Sequence, residues 1–190
     1  MKKREFLPRS RLRGVKVPKL IIIATEGECT EKQYFEAVQE RKGRSNVKVQ
    51  ILPTQDGASS PEYVIERLDK FKDKYELNLN LDQLWMVIDV DRWGEIKLSQ
   101  IAKECFQKNY SMAVSNPCFE IWLLLHVCNI DSYSKEDLES FKDNRKIGSR
   151  TTIEKELVKL IGSYNKSNVD IEIFINRIRN AVTEAERLDV

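Results

Sequence analysis

Two acidic signatures each close an apolar run. Leu20–Ala24 leads into Thr25, Glu26 and Gly27, and Leu84–Ile88 leads into Asp89, Val90 and Asp91. An apolar strand that delivers carboxylates at its carboxyl end is how an open α/β sheet builds a divalent-metal site. Asp89 and Asp91 are two residues apart, so on an extended backbone both side chains point to one side. Two such carboxylates can share a Mg²⁺ or Mn²⁺ ion, whose hard oxygen preference suits them and which relieves their mutual repulsion. The blander alternative is a solvated loop acid beside a turn-forming aspartate; the second acidic strand end at Glu26 weighs against it. The metal set read from the chain is Glu26, Asp89 and Asp91, and the chemistry is phosphoryl transfer on nucleic acid. Gly27 permits a tight turn and a close approach of a ligand to the backbone. Glu28 and Glu31 read more simply as complements to a helix N-terminal dipole.

A third segment, Ser115-Asn116-Pro117-Cys118-Phe119-Glu120, forms a turn that opens a helix. Glu120 falls in its first turn, either as a dipole partner or as a further catalytic acid. Arg92 and Lys97 follow the second acidic pair and could hold a phosphate or offset the acidic field. For Lys97 a surface role is at least as good a reading. His126 lies six residues after Glu120 and does not share its helix face, so it reads as a satisfied, partly buried histidine. Tyr164, Lys166, Arg177 and Arg179 could touch a nucleic acid, but solvated helix faces are the stronger reading for all four. Residues 1–20 carry eight Lys/Arg, Arg9, Arg11 and Arg13 among them, against the single acid Glu5. Such an arm is either a phosphate-backbone contact or a solvated tail.

These groups need elements to position them. Lys19–Ala24, Val47–Leu52, Leu84–Asp89 and Tyr110–Ser115 read as strands. Thr30–Lys42, Ser60 to about Lys74, Ile96–Asn109 and Phe119–Val127 read as the helices between and after them. Thr30 and Ser60 are placed as N-caps, Pro61 at the first helical position, and Gly43 as a helix stop. The alternation implies an α/β domain with a mainly parallel sheet flanked by helices. Beyond Cys128 the chain turns helical: Lys135–Asp143, Thr152–Ile161 with Leu157, Leu160 and Ile161 inward, and one long helix over Ile171–Leu188 whose stripe includes Val182 and Leu188. The organisation expected is a basic arm over residues 1–18, the α/β domain over 19–128, and a helical appendage over 129–190 packed on it.

Composition narrows the classes. The 190 residues are 41% hydrophobic and 33% charged, enough to bury one core without disulfides. The longest apolar run, Ile121–Cys128, is too short to span a bilayer, and the basic amino terminus has no apolar signal-like stretch. Cys29, Cys105, Cys118 and Cys128 have no CxxC spacing, and with one histidine a tetrahedral zinc site is disfavoured. They read as reduced thiols of a cytoplasmic protein, Cys118 and Cys128 buried.

The segments IIIATEGECTEKQYFEAV, LWMVIDVDR and SMAVSNPCFEIWLLLH, with a weaker Tyr164–Lys166 and Ala181–Leu188, resemble the RloB-like family, small proteins linked to restriction and abortive-infection loci. The resemblance implies a fold of the TOPRIM type. It implies Glu26 as general acid or base that may touch the metal, and Asp89 and Asp91 as holders of Mg²⁺. It implies nuclease rather than topoisomerase activity, and an SMC-like or AAA-type ATPase partner in anti-phage defence. Relatives are expected to continue past the last helix, whereas this chain stops at Val190. Homo-oligomerisation is left open, and no membrane partner is expected. The competing reading is a non-catalytic TOPRIM-like scaffold that binds nucleic acid or the ATPase and regulates it. A nucleotide-binding protein is disfavoured because neither GxxxxGK[ST] nor GxGxxG occurs.

Overall fold

The computed structural model describes residues 18–42, 47–54, 60–90 and 93–188. Four strands, β1 (Lys19–Thr25), β2 (Val47–Leu52), β3 (Gln83–Asp89) and β4 (Ser111–Ser115), form one sheet in the order β2-β1-β3-β4. All three pairings are parallel. The connections are α1 (Thr30–Lys42), α2 (Pro61–Lys74) and α3 (Glu95–Lys108). This is the parallel, helix-flanked sheet implied by the alternation of patterns and by the TOPRIM resemblance. Because all four strands run the same way, their carboxyl ends meet along one edge.

Strand alternation sorts the side chains onto two faces. Leu20, Ile22, Ala24, Leu84, Met86 and Ile88 bury against Val64, Ile65, Leu68 and Phe71 of α2 and Ile101 and Cys105 of α3. Ile23, Ile51 and Val87 turn the other way, with Phe35 of α1 over them. Burial on both faces explains the near-continuous apolar runs of β1 and β3. The start of β1 is pinned by Asp82, whose buried carboxylate accepts the Leu20 N–H at 3.0 Å and the Asn78 N–H at 2.8 Å.

After β4 come α4 (Phe119–Val127), α5 (Lys135–Asp143), a two-stranded hairpin of β5 (Lys146–Ile147) and β6 (Arg150–Thr151), α6 (Thr152–Ile161), α7 (Glu172–Ile175) and α8 (Ile178–Leu188). Leu123 and Leu124 of α4, Leu157 of α6, Phe174 and Ile175 of α7 and Ala181 of α8 share one core with Tyr34 of α1. Helix α4 is apolar all round because it lies at the centre of that core.

Several expectations need correction. The long carboxyl-terminal helix is broken between Ile175 and Ile178, where the Arg177 N–H bonds to Phe174 O at 2.8 Å, a tight turn that displaces the α-helical pattern. Val182 and Leu188 are exposed and Glu184 is buried instead, its carboxylate accepting the Ile130 N–H at 2.7 Å. Leu160 is likewise exposed. Thr30 does not cap α1; the helix already includes it, and its hydroxyl donates to the Lys166 carbonyl at 3.3 Å. Ser60 occupies the N-cap of α2 without a side-chain cap bond. Gly43 lies outside the described residues. Among the described residues no helix is long and apolar enough to cross a membrane.

Candidate functional site

The parallel ladder carries past the end of β1. Thr25 pairs with Val87, and the next N–H, that of Glu26, donates to Val87 O at 3.0 Å. Glu26 is therefore held at the carboxyl edge by backbone, beside the end of β3. Its carboxyl Oε2 accepts the indole N–H of Trp93 at 3.2 Å and lies 3.4 Å from the Asp89 N–H that points to it. Asp89 in turn pairs with Ser115 of β4, and the Val90 N–H donates to Ser115 O at 2.9 Å. Since β1 connects to β2 on one side while β3 lies on the other, Glu26 and Asp89 flank the point where strand order reverses. That is where open α/β sheets place their ligands.

The turn that carries Glu26 is tied down around its carbonyls. Thr25 Oγ1 donates to Gly27 O at 2.9 Å, and Thr54 Oγ1 donates to Thr25 O at 3.1 Å. The Arg67 guanidinium donates to Thr25 O at 2.6 Å, Thr54 Oγ1 at 2.9 Å and Leu52 O at 3.3 Å. Burial pulls the Arg67 pKa below its ordinary value. One cation thus joins the ends of β1 and β2.

Glu31 lies in the first turn of α1, as its reading as a dipole complement requires, and is also buried. A Cβ at position 27 would overlap its carboxylate, so the space beside Gly27 that the sequence suggested for a ligand is taken by Glu31. Burial raises the Glu31 pKa; the charges of Glu120 and Glu26 add to the rise, while backbone hydrogen bonds at Glu31 and Gly27 oppose it. Glu31 thus senses both of the other acids.

Glu120 stands in the first turn of α4 with 4% of its surface exposed. Tyr164 donates to its Oε1 at 2.9 Å, and Lys166 Nζ lies 3.0 Å from the same oxygen. Burial would raise the Glu120 pKa, but the Lys166 charge and hydrogen bonds from Cys118, Lys166 and Tyr164 outweigh it, and the carboxyl is held below its ordinary value. Lys166 Nζ also lies 3.1 Å from Glu154 Oε1. Burial opposes the Lys166 charge, yet the two carboxylates more than compensate and keep it firmly protonated. The Cys118 thiol beside them is pushed up by burial first and then by Glu120 and Asp89.

The structure therefore brings Glu26 together with Asp89 and places Glu31 within electrostatic reach of both Glu26 and Glu120. Asp91, Arg92, Arg9, Arg11 and Arg13 lie outside the described residues. Among the described residues no three of His, Cys, Asp or Glu are grouped so as to hold a metal ion. Lys97 pairs with Glu62 and stands over the Trp93 ring, 5.7 Å from its centroid. His126 belongs to the core: its Nδ1 faces Trp122 O at 2.7 Å and its Nε2 faces the Tyr34 hydroxyl at 3.0 Å. Tyr164 and Lys166, read from sequence more readily as solvated helix faces, instead lie on a loop against the buried Glu120; Arg177 and Arg179 are exposed as expected. The 164–166 stretch joins two helices and carries no periodic pattern, so its only signal in the sequence was the weak family resemblance of Tyr164–Lys166. All four cysteines are free thiols, with Cys118 and Cys128 buried as expected.

A family model described as RloB-like protein matches residues 21–190. Among curated proteins, none matches this chain.

Proposed function

This chain belongs to the RloB-like family, and from that premise we propose that it is a metal-dependent TOPRIM-like nuclease that hydrolyses phosphodiester bonds in nucleic acid. Its biological role in this reading is that of an effector in prokaryotic anti-phage defence, working in the cytoplasm with an SMC-like or AAA-type ATPase. The observation that carries the chemistry is the placement of Glu26 and Asp89 on adjacent parallel strands at the reversal point of the sheet.

The donor set suits Mg²⁺ or Mn²⁺. Glu26 and Asp89 offer hard carboxylate oxygens from a rigid ladder, and the mutual repulsion felt at Glu31 is of the kind a divalent cation offsets. Glu26 and Asp89, with Asp91 beyond the described residues, would hold the ion. Bound there, it would supply charge stabilisation at the phosphoryl oxygens and a more acidic water. Glu26 would orient that water and take up a proton at its carboxylate. Trp93 and the Asp89 N–H would limit how far the Glu26 carboxylate can rotate. Glu120 would contribute negative potential from the first turn of α4.

The test is cleavage of single- and double-stranded DNA and RNA in Mg²⁺ or Mn²⁺, with the ATPase partner present. Asp89→Ala should abolish cleavage while the circular dichroism spectrum stays native; a variant that cleaves like the native chain refutes the metal site. A regulatory, non-catalytic reading is favoured by one observation, that Glu26 already accepts hydrogen bonds from Trp93 and Asp89. That reading expects partner binding that does not depend on Mg²⁺.

A further inference from the structure

We infer that Lys166 is a contact for a nucleic-acid phosphate, presented to the acidic edge of the sheet by the loop between α6 and α7. The inference rests on the nuclease reading above.

The loop is clamped in place. The Lys166 carbonyl accepts Thr30 Oγ1 at 3.3 Å and Gln33 Nε2 at 3.1 Å, and the Val169 N–H donates to Gln33 Oε1 at 3.0 Å. Thr30 and Gln33 belong to the first turns of α1, the helix that follows the Glu26 turn. The position of Lys166 is thus referenced to the same backbone that positions Glu26.

The ammonium is aimed as well as placed. It offers three N–H donors. Two are directed at Glu120 and Glu154, at 3.0 and 3.1 Å. The lysine side chain is nevertheless 51% exposed, against 5% and 12% for its two partners. The two carboxylates lie behind the cation and solvent lies in front, where the third donor can turn. A free lysine side chain samples many rotamers. Here that freedom is already restricted, so a phosphate oxygen meets an ordered donor.

Neutralising the two acids is a task that Lys166 shares with other donors. Glu120 also receives the Tyr164 hydroxyl, and Glu154 accepts the Thr151 N–H at 3.0 Å as the third residue of the α6 capping box. A backbone phosphate approaching Glu26, Asp89, Glu31 and Glu120 meets a field of like charge. The half-exposed ammonium beside Glu120 is where such a phosphate can rest.

The experiment measures binding of fluorescein-labelled single-stranded DNA and RNA by anisotropy over a salt series, with Ca²⁺ in place of Mg²⁺. Lys166→Met should weaken binding several-fold and make the slope of log affinity against log salt shallower by about 0.7, one phosphate contact on a single strand. Lys166→Arg should keep the native slope. If Lys166→Met proves unfolded, Glu154→Gln/Lys166→Met serves instead, because it removes one buried charge with its partner and glutamine still suits the capping box. An unchanged slope in the folded methionine variant overturns the inference, and so does a native chain that binds neither strand. The nuclease reading is tested separately by cleavage. Loss of cleavage in Asp89→Ala with an unchanged Lys166→Met slope removes only the lysine contact. A shallower slope with no metal-dependent cleavage in the native chain removes only the nuclease reading.

Discussion

Glu26 directs its carboxyl Oε2 at the backbone N–H of Asp89, 3.4 Å away and 63 positions further along the chain. This joins the two acidic strand ends directly, through the peptide of one and the side chain of the other. Calorimetric titration with Mg²⁺ and Mn²⁺ should show binding to the native chain and none to Asp89→Ala. Glu26→Gln should weaken it while leaving the fold intact, since the amide oxygen can still accept from Trp93. A folded native chain that binds neither ion, with or without nucleic acid, argues for the scaffold reading.

Gly27 and Glu31 share one space. Gly27→Ala should destabilise the protein by about 1–3 kcal/mol, the usual range for inserting a methyl group into a filled site, read from the urea midpoint. The double variant Gly27→Ala/Glu31→Ala should recover part of that loss, because the clash is between these two side chains. Purely additive effects would disprove the steric pairing.

His126 predicts an acid-sensitive stability. Its ring is buried between Tyr34 and the Trp122 carbonyl, and burial lowers its pKa from 6.5 to about 4. The native state holds it neutral, whereas the unfolded chain protonates near 6.5. Its contribution is therefore complete above pH 6.5 and is lost as pH falls towards 4. The depression corresponds to about 3 kcal/mol. Urea unfolding at several pH values, native against His126→Gln, should show a steeper loss for the native chain between those limits. Parallel curves would refute it.

Tyr164 and Glu120 make a buried charged hydrogen bond at 2.9 Å. Tyr164→Phe leaves the packing in place and deletes the donor, at about 1.5–3 kcal/mol. The Glu120 pKa should rise, visible as a shifted carboxyl titration by ¹³C NMR. A lost midpoint without that shift would mean that the hydroxyl serves packing alone.

Much of the architecture is legible in one dimension. The period-two and near-continuous apolar runs mark all four sheet strands, and Thr30–Lys42, Phe119–Val127, Lys135–Asp143 and Thr152–Ile161 appear as helices at the expected residues. Glu26 and Asp89 are visible because each directly follows its own strand, and a strand end is a local feature. The helix break at Asn176–Arg177 is not visible, since Phe174, Ile178 and Ala181 still repeat at helical spacing across it.

What the tertiary structure alone decides is which distant groups meet. Lys166 reaches Glu120 across 46 positions of chain, and its carbonyl meets Thr30 across 136. Glu31 looks like any acid in a first helical turn until the fold buries it against Gly27, within reach of the Glu120 charge. Leu160, Val182 and Leu188 have the spacing of core residues and face solvent, while Glu184 is buried by the N–H it serves. Periodicity reports how a segment divides between inside and outside, a property of its own few turns. Charge burial and ion pairing depend on the paths of the loops, and a short polar loop such as 162–171 holds its place only through partners supplied from elsewhere in the fold.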